Sequence, residues 1–143
     1  MVVALPDQHG LARRENGDET GLDLKQLAGE TFIVYRRHSG PGLYDAIFAA
    51  CHAAGFSPLV GQEAPRIVST LNLVAAGLGL SLVPASLRRM HMDGVTYRAI
   101  VGREQPVAPL LLASRRGEAS PVVRRFLSLA KETAKLFRSE HGS

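Results

Sequence analysis

The residues best equipped for chemistry sit together in one short stretch. Phe32-Ile33-Val34-Tyr35 favours a strand and runs straight into Arg36-Arg37-His38, then Ser39-Gly40-Pro41-Gly42, then a segment with helical spacing. Strand, glycine-bearing turn and helix is the order in which anions are commonly held. A helix begins with four N–H groups that lack internal partners, and its dipole places roughly half a positive charge there. Glycines let a ligand approach that backbone closely, Ser39 offers a hydroxyl, and Arg37 or His38 offers charge. The same residues fit an ordinary turn, with Ser39 or Gly40 capping the helix and the arginines in water. Spacing alone leaves both readings open.

Other reactive side chains make a poorer case. His38, Ser39 and Asp45 supply the names of a hydrolase triad, but adjacent His and Ser rarely face each other across a site, and no G-x-S-x-G elbow is present. Cys51 and His52 are neighbours on a predicted helix, where their side chains diverge by about 100°. Cys51 lies four residues after Ile47 and reads as a small core residue. The histidines at 9, 38, 52, 91 and 141 lack the tight spacing of a metal site. No catalytic residue, metal or cofactor is expected.

The elements that must position the basic turn alternate between strand and helix. Val2–Leu5 is strand-like and stops at Pro6. Residues 13–21 form a polar loop. Asp23 and Gln26 are spaced as a capping box, with Gly29 as the stop. A helix is expected from Pro41, a favoured first helical position, with Leu43, Ile47, Ala50 and Ala54 inward and Gly55 at its end. Residues 57–61 read as a strand. Pro65 opens a helix with Ile67, Val68, Leu71, Val74 and Ala75 on one side, and Gly77 ends it. Residues 80–83 and 95–98 read as strands. Gly77 and Gly79 follow a helix and precede a strand, the reverse of the dinucleotide order, and so serve as a helix cap and a tight strand start. The apolar run Leu110–Ala113 reads as a strand covered on both faces. Ser120-Pro121 starts a last helix running to about Arg138. This order implies an α/β fold with a largely parallel sheet.

With 143 residues, 45% apolar and 21% charged, the chain has the size of one ordinary domain. No window approaches the roughly 20 apolar residues of a membrane span, and Met1–Pro6 is too short for a signal peptide, so a cytoplasmic location is expected. The net charge of +4 arises entirely beyond residue 102. There Arg124, Arg125, Lys131, Lys135 and Arg138 alternate with apolar residues at helical intervals, as on the solvated face of an amphipathic helix. No DNA-reading motif accompanies them.

Three stretches in order carry a family resemblance. "VVALPDQHGLA", "LDLKQLAGETFIVYRRHSGPGLYDAIFAACHAAGFSP" and "QEAPRIVSTLNLVAAGLGLSLVPASLRRM" resemble the effector-binding domain of LysR-type transcriptional regulators. "PLLLASRRGEASPVVRRFLSLAKE" resembles that domain's returning strand and last helix. Gly10 departs from the proline common in the opening turn.

The resemblance implies a periplasmic-binding-protein-like (type 2) fold. Residues 1–6 would be a crossover strand from an incomplete first subdomain, 7–105 the second subdomain, and 106–143 the return to the first. It implies a small-molecule effector, a carboxylate, held between subdomains by Arg37, His38, Ser39, Gly40, Pro41 and Gly42, with Ala64 and Pro65 close by. DNA would be reached only through a winged helix-turn-helix absent from this chain. The full-length regulator would be a homo-oligomer, non-enzymatic and without membrane contact. Truncated in this way, the last helix should keep apolar area exposed, leaving the chain marginally stable or self-associating.

A free-standing binding protein of the periplasmic type is the alternative, and would need an export signal and two complete lobes. An enzyme on the same fold would need a reactive lysine or a paired acid and base in the cleft, yet Lys25, Lys131 and Lys135 all fall on predicted polar helix faces.

Overall fold

The computed structural model describes residues 1–13, 21–39, 41–103, 105–108, 111–117 and 120–141. Two compact units divide at Pro109/Leu110. Most of the loop at 13–21, together with Gly40, Leu110 and the side chains of Phe137 and Arg138, lies outside what is described.

In the first unit, Val2, Val3, Ala4 and Leu5 have no polar neighbour to offer water, and all four are buried. A strand apolar on both faces belongs at the centre of a sheet covered on both sides. β1 (Val2–Pro6) accordingly lies between β5 (Ser81–Val83) and β6 (Val95–Val101), antiparallel to both. Residues 1–6 are thus part of the first compact unit. β6 pairs in parallel with β2 (Leu22–Asp23), and β3 (Thr31–Tyr35) pairs in parallel with β4 (Leu59–Ala64). Leu80 joins the two sheets: its N–H donates to Thr31 O at 2.9 Å, and Ile33 N–H donates to Leu80 O at 2.8 Å. The pairing is therefore mixed, parallel in its outer parts and antiparallel around β1.

Alternation along the strands sends side chains into two cores. Val3, Leu5, Phe32, Val34 and Leu82 meet Ile47 and Cys51 of α1 (Pro41–Ala53). Val2, Ala4, Ile33 and Val83 meet Leu71 and Val74 of α2 (Ile67–Ala75) on the other face. The result is a three-layer α/β/α arrangement.

Several local expectations hold, and for the expected reasons. Asp23 and Gln26 form the capping box of a 3-10 helix, Leu24–Leu27, whose two leucines are buried. Gly77 ends α2 with φ +76°. Gly79, at φ +151°, passes so close to β3 that a Cβ would stand 2.5 Å from Thr31 O.

Other expectations shift. β4 occupies 59–64 rather than 57–61, because its limits are set by parallel register with β3, where Thr31 faces Leu59 and Tyr35 faces Ala64. In α2, Val68 is exposed and Thr70 is buried instead. The inward positions 67, 70, 71 and 74 follow helical spacing, and Thr70 Oγ1 donates to Arg66 O at 3.2 Å, which satisfies the hidden hydroxyl.

The second unit contains α3 (Pro121–His141), whose first turn begins with Arg124 N–H donating to Ser120 O at 3.1 Å. Leu111, Leu112 and Ala113 form no strand, and Leu111 is 82% exposed. The expected double-sided burial at 110–113 fails over its described part, since a strand needs a paired neighbour for its backbone groups. Pro106 belongs with the first unit, where its carbonyl accepts from the Met1 amine at 2.9 Å.

Candidate functional site

β3 carries the chain to the basic turn. Arg36 N–H donates to Ala64 O at 3.1 Å, tying the exit of β3 to the end of β4. Residues Arg37–Ser39 then make a 3-10 turn in which Ser39 N–H donates to Arg36 O at 3.0 Å. The Ser39 amide, expected to serve a ligand, is thereby already matched. Pro41 starts α1 and has no N–H, so Gly42, Leu43 and Tyr44 carry the donors of its first turn.

An open hollow of about 450 Å³ lies beside this turn, lined among the described residues by Arg37, His38, Pro41 and Glu63. Three predicted residues are therefore brought together. Ser39 is exposed but does not line the hollow, nor do Gly42 and Pro65. Ala64 is buried, and its contribution is the carbonyl that receives Arg36. Gly40 lies outside the described residues.

The charge balance differs from the expected purely basic corner. Arg37 Nε donates to Asp45 Oδ1 at 3.0 Å, and that hydrogen bond, together with the carboxylate's charge, raises the guanidinium pKa further. Glu63 adds a second carboxylate to the rim. Sequence reading missed it because the strand was taken to stop at Gly61; once β4 runs to Ala64, Glu63 pairs with Val34 beside the turn. Both ion-pair partners are well exposed, so the contact is weak. The turn and its hollow thus bring together one guanidinium, the amides at the start of α1 and the carboxylates of Asp45 and Glu63.

Among the described residues, the Ser–His–Asp and Cys–His groupings weighed in the sequence do not assemble. Asp45 is engaged by Arg37 rather than His38. Cys51 is fully buried, and burial pushes its thiol up to about 11. Neighbouring His52 faces water, its Nε2 3.2 Å from Ser57 Oγ. Lys25 is exposed and lines a different hollow, with Asp23 and Arg103. His9 caps the turn at Gly10–Ala12 by accepting from Leu11 N–H, and its Nε2 lies 3.3 Å from Glu30 Oε2. Among the described residues no cluster of metal-ligating side chains occurs, and no helix is long and apolar enough to cross a membrane.

The family model for the LysR substrate binding domain matches residues 1–135. The chain belongs to this family. The HTH-type transcriptional regulator CatR of Pseudomonas putida is 36% identical over 134 residues, which cover 94% of this chain and 44% of CatR. AlsR of Bacillus subtilis is 31% identical, over 90% of this chain and 41% of its own length.

Among solved structures, the BenM effector-binding domain with its effector benzoate is 25% identical with a TM-score of 0.61, covering 71% of this chain and 44% of that one. Full-length BenM, at 24% identity, shares the fold with a TM-score of 0.74, covering 99% of this chain and 44% of that one. This chain therefore spans less than half the length of these relatives. Those relatives are transcriptional regulators, not enzymes.

Proposed function

We propose that this chain is the effector-sensing part of a LysR-type transcriptional regulator and that it grips a small carboxylate at the mouth of α1. The observation that carries this reading is the hollow between Arg37, His38, Pro41 and Glu63, open to water at the start of a 13-residue helix. Arg37 supplies the counter-charge by exchanging Asp45 for the ligand, and the first free amides of α1 supply directional hydrogen bonds. The likeness to a BenM domain bound to benzoate supports an organic acid as the effector class.

On this reading residues 7–105 are the second subdomain, and 106–143 return to a first subdomain that provides the opposing wall. Pro41 and Gly42 shape the helix mouth, with Ser39 on the turn that leads into it. A ligand that bridges both walls stabilises one relative orientation, and that differential affinity shifts the balance between assemblies of a homo-oligomer. DNA is contacted by a winged helix-turn-helix elsewhere in such a regulator, in the cytoplasm.

Calorimetric titration of benzoate into the regulator that carries this domain tests the assignment. Arg37→Ala is expected to weaken binding about tenfold, the worth of one charge-assisted hydrogen bond. Unchanged affinity would remove Arg37 from the site.

A further inference from the structure

The turn that follows β1 is capped by a side chain that titrates. The usual acceptors at such a cap are serine, threonine, aspartate and asparagine, whose oxygens keep their lone pairs at neutral pH. Here the position holds His9, and its Nδ1 accepts from Leu11 N–H at 3.2 Å at the head of the turn Gly10–Ala12. A backbone amide nitrogen only donates, so Nδ1 carries no proton. The other ring nitrogen, Nε2, lies 3.3 Å from Glu30 Oε2, just before β3. An ionised carboxylate only accepts, so Nε2 carries the proton. One tautomer of the neutral ring meets both demands, and the contact with Glu30 selects it.

Protonation sets the two contacts against each other. A proton arriving at Nδ1 turns that atom from acceptor to donor, and the cap on Leu11 is lost. The same proton makes the Nε2 contact charge-assisted, so the ring stays with Glu30. The His9 side chain is 23% exposed, which lets water deliver the proton and then accept from Nδ1.

The rest of the turn is held by groups that keep their charge. β1 and β6 pack against it, and β1 has no titratable side chain. Arg98 of β6 donates to Leu11 O and Arg13 O, both at 3.2 Å, while Tyr97 belongs to the other core. Asp7, two residues before His9, accepts from the Thr96 hydroxyl at 2.6 Å. Loss of the cap therefore frees the head of the turn and leaves its tail gripped by Arg98.

We propose that His9 is a proton-operated clasp, closed on Leu11 when the ring is neutral and open when it is protonated, with Glu30 as the post that holds the ring in both states. The residues it releases, Leu11 and Ala12, pack on the core shared with α1. The inference is independent of the effector reading and concerns a part of the first unit outside the hollow at Arg37.

Nuclear magnetic resonance of the 143-residue chain tests it between about pH 8 and about pH 5, the range in which imidazole changes charge. At the upper end the nitrogen shifts of His9 should report the Nε2–H tautomer. Protection of the Leu11 amide, corrected for its intrinsic exchange rate, should fall about fivefold toward the lower end, the worth of one hydrogen bond. That fall should share its midpoint with the His9 ring. His9→Asn supplies an acceptor that does not titrate and should hold Leu11 protection within about twofold across the range. His9→Ala should show low protection throughout. An Nδ1–H tautomer at the upper end overturns the proposal. So does Leu11 protection that stays constant in the parent, or that falls as far in His9→Asn, which would place the change elsewhere in the chain.

Discussion

Arg37 Nε and Asp45 Oδ1 are 3.0 Å apart, an ion pair that reaches from the basic turn into the second turn of α1. The residue best placed to grip an anion is held by a carboxylate of its own chain. Both side chains are more than half exposed, so on the proposed reading a ligand acid would compete with Asp45 on nearly equal terms.

Asp45→Asn should therefore tighten benzoate binding, by about threefold, the scale of a surface ion pair. Arg37→Ala combined with Asp45→Asn should bind no better than Arg37→Ala alone if the aspartate acts through the arginine. A gain from Asp45→Asn that persists without Arg37 would show only a general charge effect, and titration calorimetry of the four proteins separates the two outcomes.

Cys51 offers a chemical and a pH test. Its buried thiol, raised from 9.0 to about 11, is almost wholly protonated at pH 8 and unreactive. A thiol reagent should label it only at the rate of unfolding. The raised folded-state pKa means that the folded chain holds its proton more tightly than the unfolded chain. The stability it contributes is complete below pH 9 and is lost as pH rises toward 11. Urea midpoints at pH 8 and pH 10 should therefore fall for the parent and fall less for Cys51→Ala.

Tyr97 packs beside the core that includes Leu71 and Val74; its hydroxyl oxygen is buried without a hydrogen-bond partner among the described residues, and burial raises its pKa. Tyr97→Phe removes the unmatched group and keeps the ring. Thermal unfolding should show an equal or higher midpoint, within about 1–3 kcal/mol of added stability. A clear loss would reveal a partner for that hydroxyl.

Gly79→Ala should cost about 1–3 kcal/mol, since it combines a strained φ with a Cβ 2.5 Å from Thr31 O. It should also loosen the Leu80 bridge between the two sheets, seen as faster exchange of the Leu80 and Ile33 amide protons.

The sequence was most informative where structure is decided locally. The Asp23–Gln26 box, Pro41 as the start of α1, and Gly77 with Gly79 each follow from residues a few positions apart. It was least informative where a distant partner decides. The length of β4 depends on β3, and with it went Glu63, the rim carboxylate that spacing could not place. Asp45 was visible as a residue, but its engagement with Arg37 needed the turn that folds eight positions back on themselves. Leu110–Ala113 read as a buried strand because apolar runs usually find a neighbour; Leu111 and Leu112 are exposed.

The most direct test of the effector site is a titration of the isotopically labelled 143-residue chain with benzoate, followed through its amide signals in two-dimensional nuclear magnetic resonance. Saturable shifts centred on Arg37, His38, Gly42, Leu43 and Glu63 are predicted, with millimolar affinity from one wall alone. Shifts that fail to saturate, or that centre away from the start of α1, would contradict the account.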